Sequence, residues 1–155
     1  MRCVKVTSEV DAWSVIHRIG QKCDLMETFD LDSKEAVYDH FLDSEIYKFM
    51  SDDYSRVYAV AILEVQDDRS ANLHFSMFQS CHILRGWKLL LEQLDHIDLL
   101  YSYINKNRND IYKLLVMLGF KMETTEEGYY GQSKKISEES SRKCDRKKQT
   151  KTQSS

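Results

Sequence analysis

Between Asp98 and Phe120 the spacing of apolar residues changes from strand-like to helical. Leu99-Leu100-Tyr101-Ser102-Tyr103-Ile104 is a short strand-like run, and Asn105-Lys106-Asn107-Arg108-Asn109-Asp110 is wholly polar. Ile111, Leu114, Leu115 and Leu118 then recur at i, i+3, i+4 and i+7, the apolar stripe of a helix. Asp110 or Asn109 is placed to cap that helix, and Gly119 to close it in the left-handed conformation. Upstream, residues 71–78 predict a strand. A loop holding Gly86 and a second helical stripe of Ile83, Leu84, Trp87, Leu90, Leu91 and Leu94 follow it.

The rest of the chain divides in the same way. Cys3-Val4-Lys5-Val6 suits an opening strand. Ser8 with Asp11 resembles a capping box ahead of Ala12, Trp13, Ile16 and Ile19, with Gly20 ending that helix. A second helix follows Asp32, which pairs with Glu35 as a cap, and its apolar face is Val37, Phe41 and Leu42. Residues 46–50 and 57–65 read as strands joined through Ser51-Asp52-Asp53-Tyr54-Ser55, and the polar Gln66 to Ser70 turns the chain into the next strand, making an antiparallel meander. After Phe120, residues 121–125 and 129–134 predict a hairpin about Glu126-Glu127-Gly128. Trp13 and Trp87 sit in apolar stripes and read as core. From Lys134 onward the Ser/Lys/Thr/Gln bias predicts a disordered tail, so the expected organisation is a folded domain over 1–133 and a basic tail over 134–155.

Charge and cysteine usage narrow the function classes. The chain has 155 residues, 42% of them apolar, enough for one domain with a sizeable core. Its formal charge of -3 divides into about +5 on residues 134–155 and about -8 on the body. An acidic body without a basic, aromatic-lined face argues against a dedicated nucleic-acid binder. Cys3, Cys23, Cys81 and Cys144 show no CxxC spacing, which argues against zinc. Asp30, Asp32, Asp39 and Asp43 are spaced as caps rather than as a calcium loop. Runs such as Ala59-Val60-Ala61-Ile62-Leu63 fall far short of the ~20 residues of a membrane span. Nothing after Met1 resembles a signal peptide. Reduced thiols and a cytoplasmic location are expected.

The order β-α-α-β-β-β-α-β-α-β-β, with the Asn-rich loop, helix and Leu118-Gly119-Phe120-Lys121 closure, resembles the GCN5-related N-acetyltransferase (GNAT) family over residues 1–134. The resemblance implies an α+β, acyl-CoA N-acyltransferase fold, with a central mixed but mostly antiparallel sheet flanked by helices. It implies acetyl-CoA in a cleft where the fourth and fifth strands splay apart, with the pantetheine on backbone groups of Phe75, Ser76, Met77 and Phe78. The pyrophosphate would lie on the next helix N-terminus at Leu84, Arg85 and Gly86, and Asn107 of the Asn-rich loop is the further cofactor candidate.

The family's Q/R-x-x-G-x-G/A loop is matched at Gly86 but holds Cys81 and Leu84 at the other two positions. Arg85 and Lys88 supply compensating charge, or are the solvated face of an amphipathic helix. Leu115 occupies the place of the family's tyrosine acid, and Tyr112 lies one helical turn earlier, in a catalytic or a packing role. The base is sought among Glu64, His74 and His82, with Glu64 the leading candidate and an exposed strand residue the alternative. Tyr101, Tyr103, Tyr129 and Tyr130 form an aromatic patch, or divide between core and surface by strand alternation.

Overall character resembles the short GNAT-like proteins of tailed bacteriophages, especially head-assembly proteins of lambdoid short-tailed phages. That resemblance implies an assembly or interaction protein on a degenerate scaffold. It would bind other phage structural or ejection proteins in the host cytoplasm, assisting head assembly or incorporation of DNA-ejection proteins. The alternative is an acetyl-CoA-dependent N-acetyltransferase acting on a protein or small-amine acceptor. With Cys81, Leu84 and Leu115 at three functional positions, weak or no turnover is expected.

Overall fold

The computed structural model describes residues 1–22, 34–41, 43–79 and 82–134. The chain runs β1 (Arg2–Lys5), α1 (Glu9–Lys22), α2 (Lys34–Phe41), β2 (Glu45–Met50), β3 (Val57–Val65), β4 (Ser70–Met77), α3 (Ile83–Leu91), β5 (Leu99–Asn105), α4 (Asn109–Met117), β6 (Lys121–Thr124) and β7 (Gly128–Lys134). This is the predicted element order. One seven-stranded sheet results, in the order β1-β2-β3-β4-β5-β7-β6. Only β4 and β5 run parallel, as expected of strands joined by a helical crossover.

Strand alternation sorts the core onto the two faces of the sheet. On one face Ala59, Ala61 and Leu63 of β3, Ala71 and Leu73 of β4, and Leu100 and Ile104 of β5 pack with Ile83, Trp87 and Leu90 of α3 and Leu114 and Leu115 of α4. On the other, Val60 and Ile62 of β3 and Ile46 of β2 meet Val15, Ile16 and Ile19 of α1 and Phe41 of α2. β3 is thus covered on both sides, which is why it reads as a nearly continuous apolar run. Each large side chain buried this way contributes about 1.5–3 kcal/mol.

Several expectations are corrected. Gly20 does not end α1, which continues to Lys22. One helix-interior glycine costs only about 1 kcal/mol, and the burial of Ile16 and Ile19 outweighs it. Trp13 is 37% exposed rather than core, whereas Trp87 is buried. Neither Asn109 nor Asp110 caps α4. Its N-cap is Arg108 without a side-chain bond, because the Asp110 carboxylate accepts instead from the Arg108 Nε at 3.2 Å. α3 stops at Leu91, and Leu94 reaches the core from the following turn. The Ser8 cap is present, its Oγ accepting the Asp11 N–H at 3.1 Å. Gly119 has φ +94°, a conformation that glycine adopts without steric cost. The expectations for Cys23, Asp30, Asp32, Leu42, Cys81, Cys144 and the tail over 135–155 lie outside the described residues.

Candidate active site

β4 and β5 stay together for only three residue pairs, Ser70 with Leu99, Ala71 with Leu100 and Asn72 with Tyr101. Three bonds fix this shared base. Arg69 Nε donates to Asp98 Oδ1 at 2.9 Å, the Asp98 N–H donates to the Arg69 carbonyl at 2.6 Å, and the buried Ser102 Oγ donates to the Leu73 carbonyl at 2.9 Å. Beyond Asn72, β4 continues against β3 to Met77 while β5 follows β7 to Asn105, so a gap opens between them.

Backbone parity decides which β4 residues face that gap. Ser70 and Phe78 exchange their bonds with β3, the Ser70 carbonyl accepting from Gln66 and the Phe78 N–H donating to the Tyr58 carbonyl. In an unbroken register the other even-numbered residues, Ser76 among them, do the same. Odd-numbered residues turn the other way, as the bond from Ser102 to the Leu73 carbonyl shows. Of the three candidates on this strand, Phe75 therefore directs its backbone groups toward the edge that no described strand pairs. Phe78 packs its ring beneath the Arg18 guanidinium, 4.2 Å from the ring centroid.

On the face of α1 and α2, beside the base of the gap, Glu64 is the hub of a polar cluster. Its Oε2 accepts from Asn72 Nδ2 at 3.1 Å and lies 2.8 Å from His74 Nε2, while Oε1 lies 2.8 Å from His40 Nε2 of α2. Glu64 is thus engaged on both oxygens and mostly buried, not an exposed strand residue. Burial pushes its carboxyl up, but the His74 hydrogen bond, the charges of His74 and His40, and the Asn72 amide together hold it below the ordinary range. The rings of Phe41 and His74 meet edge-on at 5.2 Å. His40 had no signal in the sequence, because its contact with Glu64 depends on how α2 crosses the sheet.

The remaining candidates are spread around the other face. Leu84 is 48% exposed in the first turn of α3, and Arg85 is exposed beside it. Arg85 lies close enough to Asp52 to act, after the terminal amine of Met1, in holding that carboxyl low. Gly86 is buried, and a Cβ there would stand 2.6 Å from both the Met1 Sδ and the Phe49 Cδ1. Close packing of α3 on β1 and β2 is thus a sufficient reason for this glycine. His82 precedes α3, its carbonyl accepting from the Arg85 and Gly86 amides. Asn107 is exposed in the turn before α4. Tyr112 stacks on Tyr129 at 4.6 Å, and Leu115 is fully buried. Tyr112 and Glu64 thus stand on opposite faces of the sheet. A cavity of about 350 Å³ between the start of α1 and the end of α2 holds none of these residues.

Among the described residues no group of His, Cys, Asp and Glu side chains is arranged to hold a metal, and no helix is long and apolar enough to cross a membrane. No family model and no curated protein sequence matches the chain. Solved structures do. A spermidine N-acetyltransferase from Vibrio cholerae in complex with CoA and spermine superposes with a TM-score of 0.61 at 14% identity, over 86% of this chain and 96% of that one. A GNAT-family acetyltransferase from Bacillus anthracis gives 0.61 at 9%, over 86% and 95%. RimL, a ribosomal L7/L12 alpha-N-protein acetyltransferase in complex with coenzyme A, gives 0.60 at 9%, over 83% and 91%. The chain has the GNAT acetyltransferase fold.

Proposed function

We propose that the chain is an acetyl-CoA-dependent N-acetyltransferase acting on an amine. The observation that carries this reading is the gap above Asn72 and Tyr101, where β4 turns the Phe75 backbone toward an edge that no described strand occupies. An extended chain with alternating amide groups, such as pantetheine, fits an unpaired strand edge as a further strand would. The Ile83 and Leu84 amides, ahead of the first α3 bonds, give the helix end a positive character suited to a pyrophosphate. Arg85 adds charge there, shared with Asp52. Bound acetyl-CoA supplies a thioester whose carbon–sulfur bond is exchanged for a carbon–nitrogen bond to the amine, releasing a thiolate and a proton.

The chain's own contribution is to receive the amine on the α1 and α2 face and to take its proton. Glu64, held below the ordinary carboxylate range, is a weak base at neutral pH. His74, held through its Nε2 by Glu64 on the same face, is the residue assigned to the amine's proton, and Glu64 is its positioning residue. Tyr112 is a packing residue against Tyr129. The phage-assembly reading draws support from no feature of the fold and from none of the compared structures.

Isothermal titration with acetyl-CoA followed by a free-thiol assay over a panel of amines tests the reading. Saturable binding with thiol release dependent on an amine, and lost in His74→Ala, is expected. Absence of acetyl-CoA binding to the folded protein would refute it.

A further inference from the structure

The face that carries Glu64 also carries three tyrosines. Leu100 and Ile104 of β5 point to the α3 and α4 side, so Tyr101 and Tyr103 point to the opposite side, as do Asn72 and His74 of β4. Tyr130 of β7 stands directly across the ladder from Tyr103 and shares its side. The ring centroids lie 6.0 Å apart for Tyr101 and Tyr103, 4.9 Å for Tyr103 and Tyr130, and 6.4 Å for Tyr101 and Tyr130. Gln132 Nε2, two residues further along the same strand and on the same side, donates to the Tyr130 hydroxyl at 2.5 Å. Tyr103 is 66% exposed although it is a large aromatic in the middle of a strand. Its cross-strand pair with Tyr130 supports the sheet, and most of its surface is still left open to solvent.

Tyr101 lies at the base of the gap on its β5 side, Tyr103 about 7 Å further along that strand, and Tyr130 one strand beyond, on β7. Their faces carry negative potential. The surroundings do too. Glu123 of β6 stands directly across the ladder from Tyr130, on the same side of the sheet, and the carboxylates of Glu64 and Asp68 contribute, after burial and Tyr103, to pushing the Tyr101 hydroxyl up. The chain outside residues 134–155 carries about -8. π faces beside carboxylates on an acidic body complement an organic cation.

We propose that Tyr101, Tyr103 and Tyr130 form a subsite for a charged ammonium group of the acceptor, and that the acceptor is therefore a small polyamine. One nitrogen enters the gap while a second, still protonated, rests on the rings. The inference builds on the acyl-transfer reading, and it makes these tyrosines specificity residues rather than catalytic ones.

Calorimetric titration of 1,4-diaminobutane and n-butylamine into the full chain at neutral pH and low salt tests it. The diamine should bind about tenfold more tightly than the monoamine, since each exposed cation–π contact is worth about two- to fivefold. Tyr103→Leu should cut that preference about two- to fivefold, and Tyr103→Phe, which keeps the ring, should retain it. Tyr103 is exposed enough that neither variant threatens folding. Equal binding of the two amines, an undiminished preference in Tyr103→Leu, or tighter binding of a dilysine peptide than of the diamine would overturn the inference. Thiol release distinguishes the two readings. Selective diamine binding without turnover sinks acyl transfer and leaves the subsite standing, while turnover of both amines with equal efficiency does the reverse.

Discussion

Replacing Gly86 by alanine separates two reasons for a glycine at the start of α3. If its value lay in letting a phosphate approach the backbone, alanine would weaken cofactor binding and leave the protein more stable, because alanine in a helix is favoured over glycine by about 1 kcal/mol. The packing predicts the opposite sign. The new methyl would stand 2.6 Å from the Met1 Sδ and 2.6 Å from the Phe49 Cδ1. Carbon contacts settle near about 3.5–4.0 Å, so each neighbour must retreat by about 1 Å. The Met1 side chain is only 5% exposed, but it is unbranched and flexible and can repack. Phe49 cannot do so as easily, being 0% exposed with its ring 5.6 Å from that of Phe75. Overpacking of this kind costs about 1–3 kcal/mol, and the helical gain offsets about 1 of it. We expect a net loss of up to about 2 kcal/mol in urea unfolding, with the melting temperature lowered by roughly 2–4 °C for each kcal/mol lost. Phe49→Leu, which vacates the ring, should recover part of that loss in the double variant through a favourable coupling. A Gly86→Ala protein that melts at or above the wild-type temperature refutes the packing argument.

Three further outcomes follow from named contacts. Ser102→Ala leaves the buried Leu73 carbonyl without its donor where β4 and β5 part, and should cost about 1–3 kcal/mol by urea unfolding. Tyr112→Phe keeps the stack on Tyr129 and removes only the hydroxyl, so stability and kcat should both be unchanged. A collapse of kcat with stability intact would make Tyr112 the acid. The folded-state carboxyl of Glu64 lies below its unfolded value, so its stabilising contribution is complete above the unfolded carboxylate range, near about 4.3, and is lost as pH falls through the folded value. The stability gap between wild type and Glu64→Gln should therefore be constant at mildly acidic pH and close in strong acid, and a gap that widens there contradicts the sign.

The element order was legible because each element states its own period locally. Ile111, Leu114, Leu115 and Leu118 announce a helix without reference to anything distant, and Gly119 announces its end. What was not legible depends on which elements cross. Glu64 looked like a solvent-facing strand residue because alternation sets it opposite Leu63, which is correct. Alternation is silent on whether a helix covers that side. His40 is 24 residues away and meets Glu64 only because α2 lies across β3. The same limit explains Trp13, which sits in an apolar stripe but beyond the edge of what α1 buries.

Gly86 and Leu84 show how a motif misleads when its physical reason is left out. In a phosphate loop a glycine is needed where backbone must approach an anion, and in helix packing it is needed where one backbone must approach another side chain. The sequence records only the residue. Here the helix face decides, since Gly86 falls with Ile83, Trp87 and Leu90 on the buried side of α3 while Leu84 and Arg85 fall on the exposed side. The packing of Gly86 on Met1 and Phe49 is thus reason enough for the glycine, whatever binds at this helix end. The shape of the β4 and β5 gap, rather than the loop motif, is the feature from which cofactor binding by this chain has to be argued.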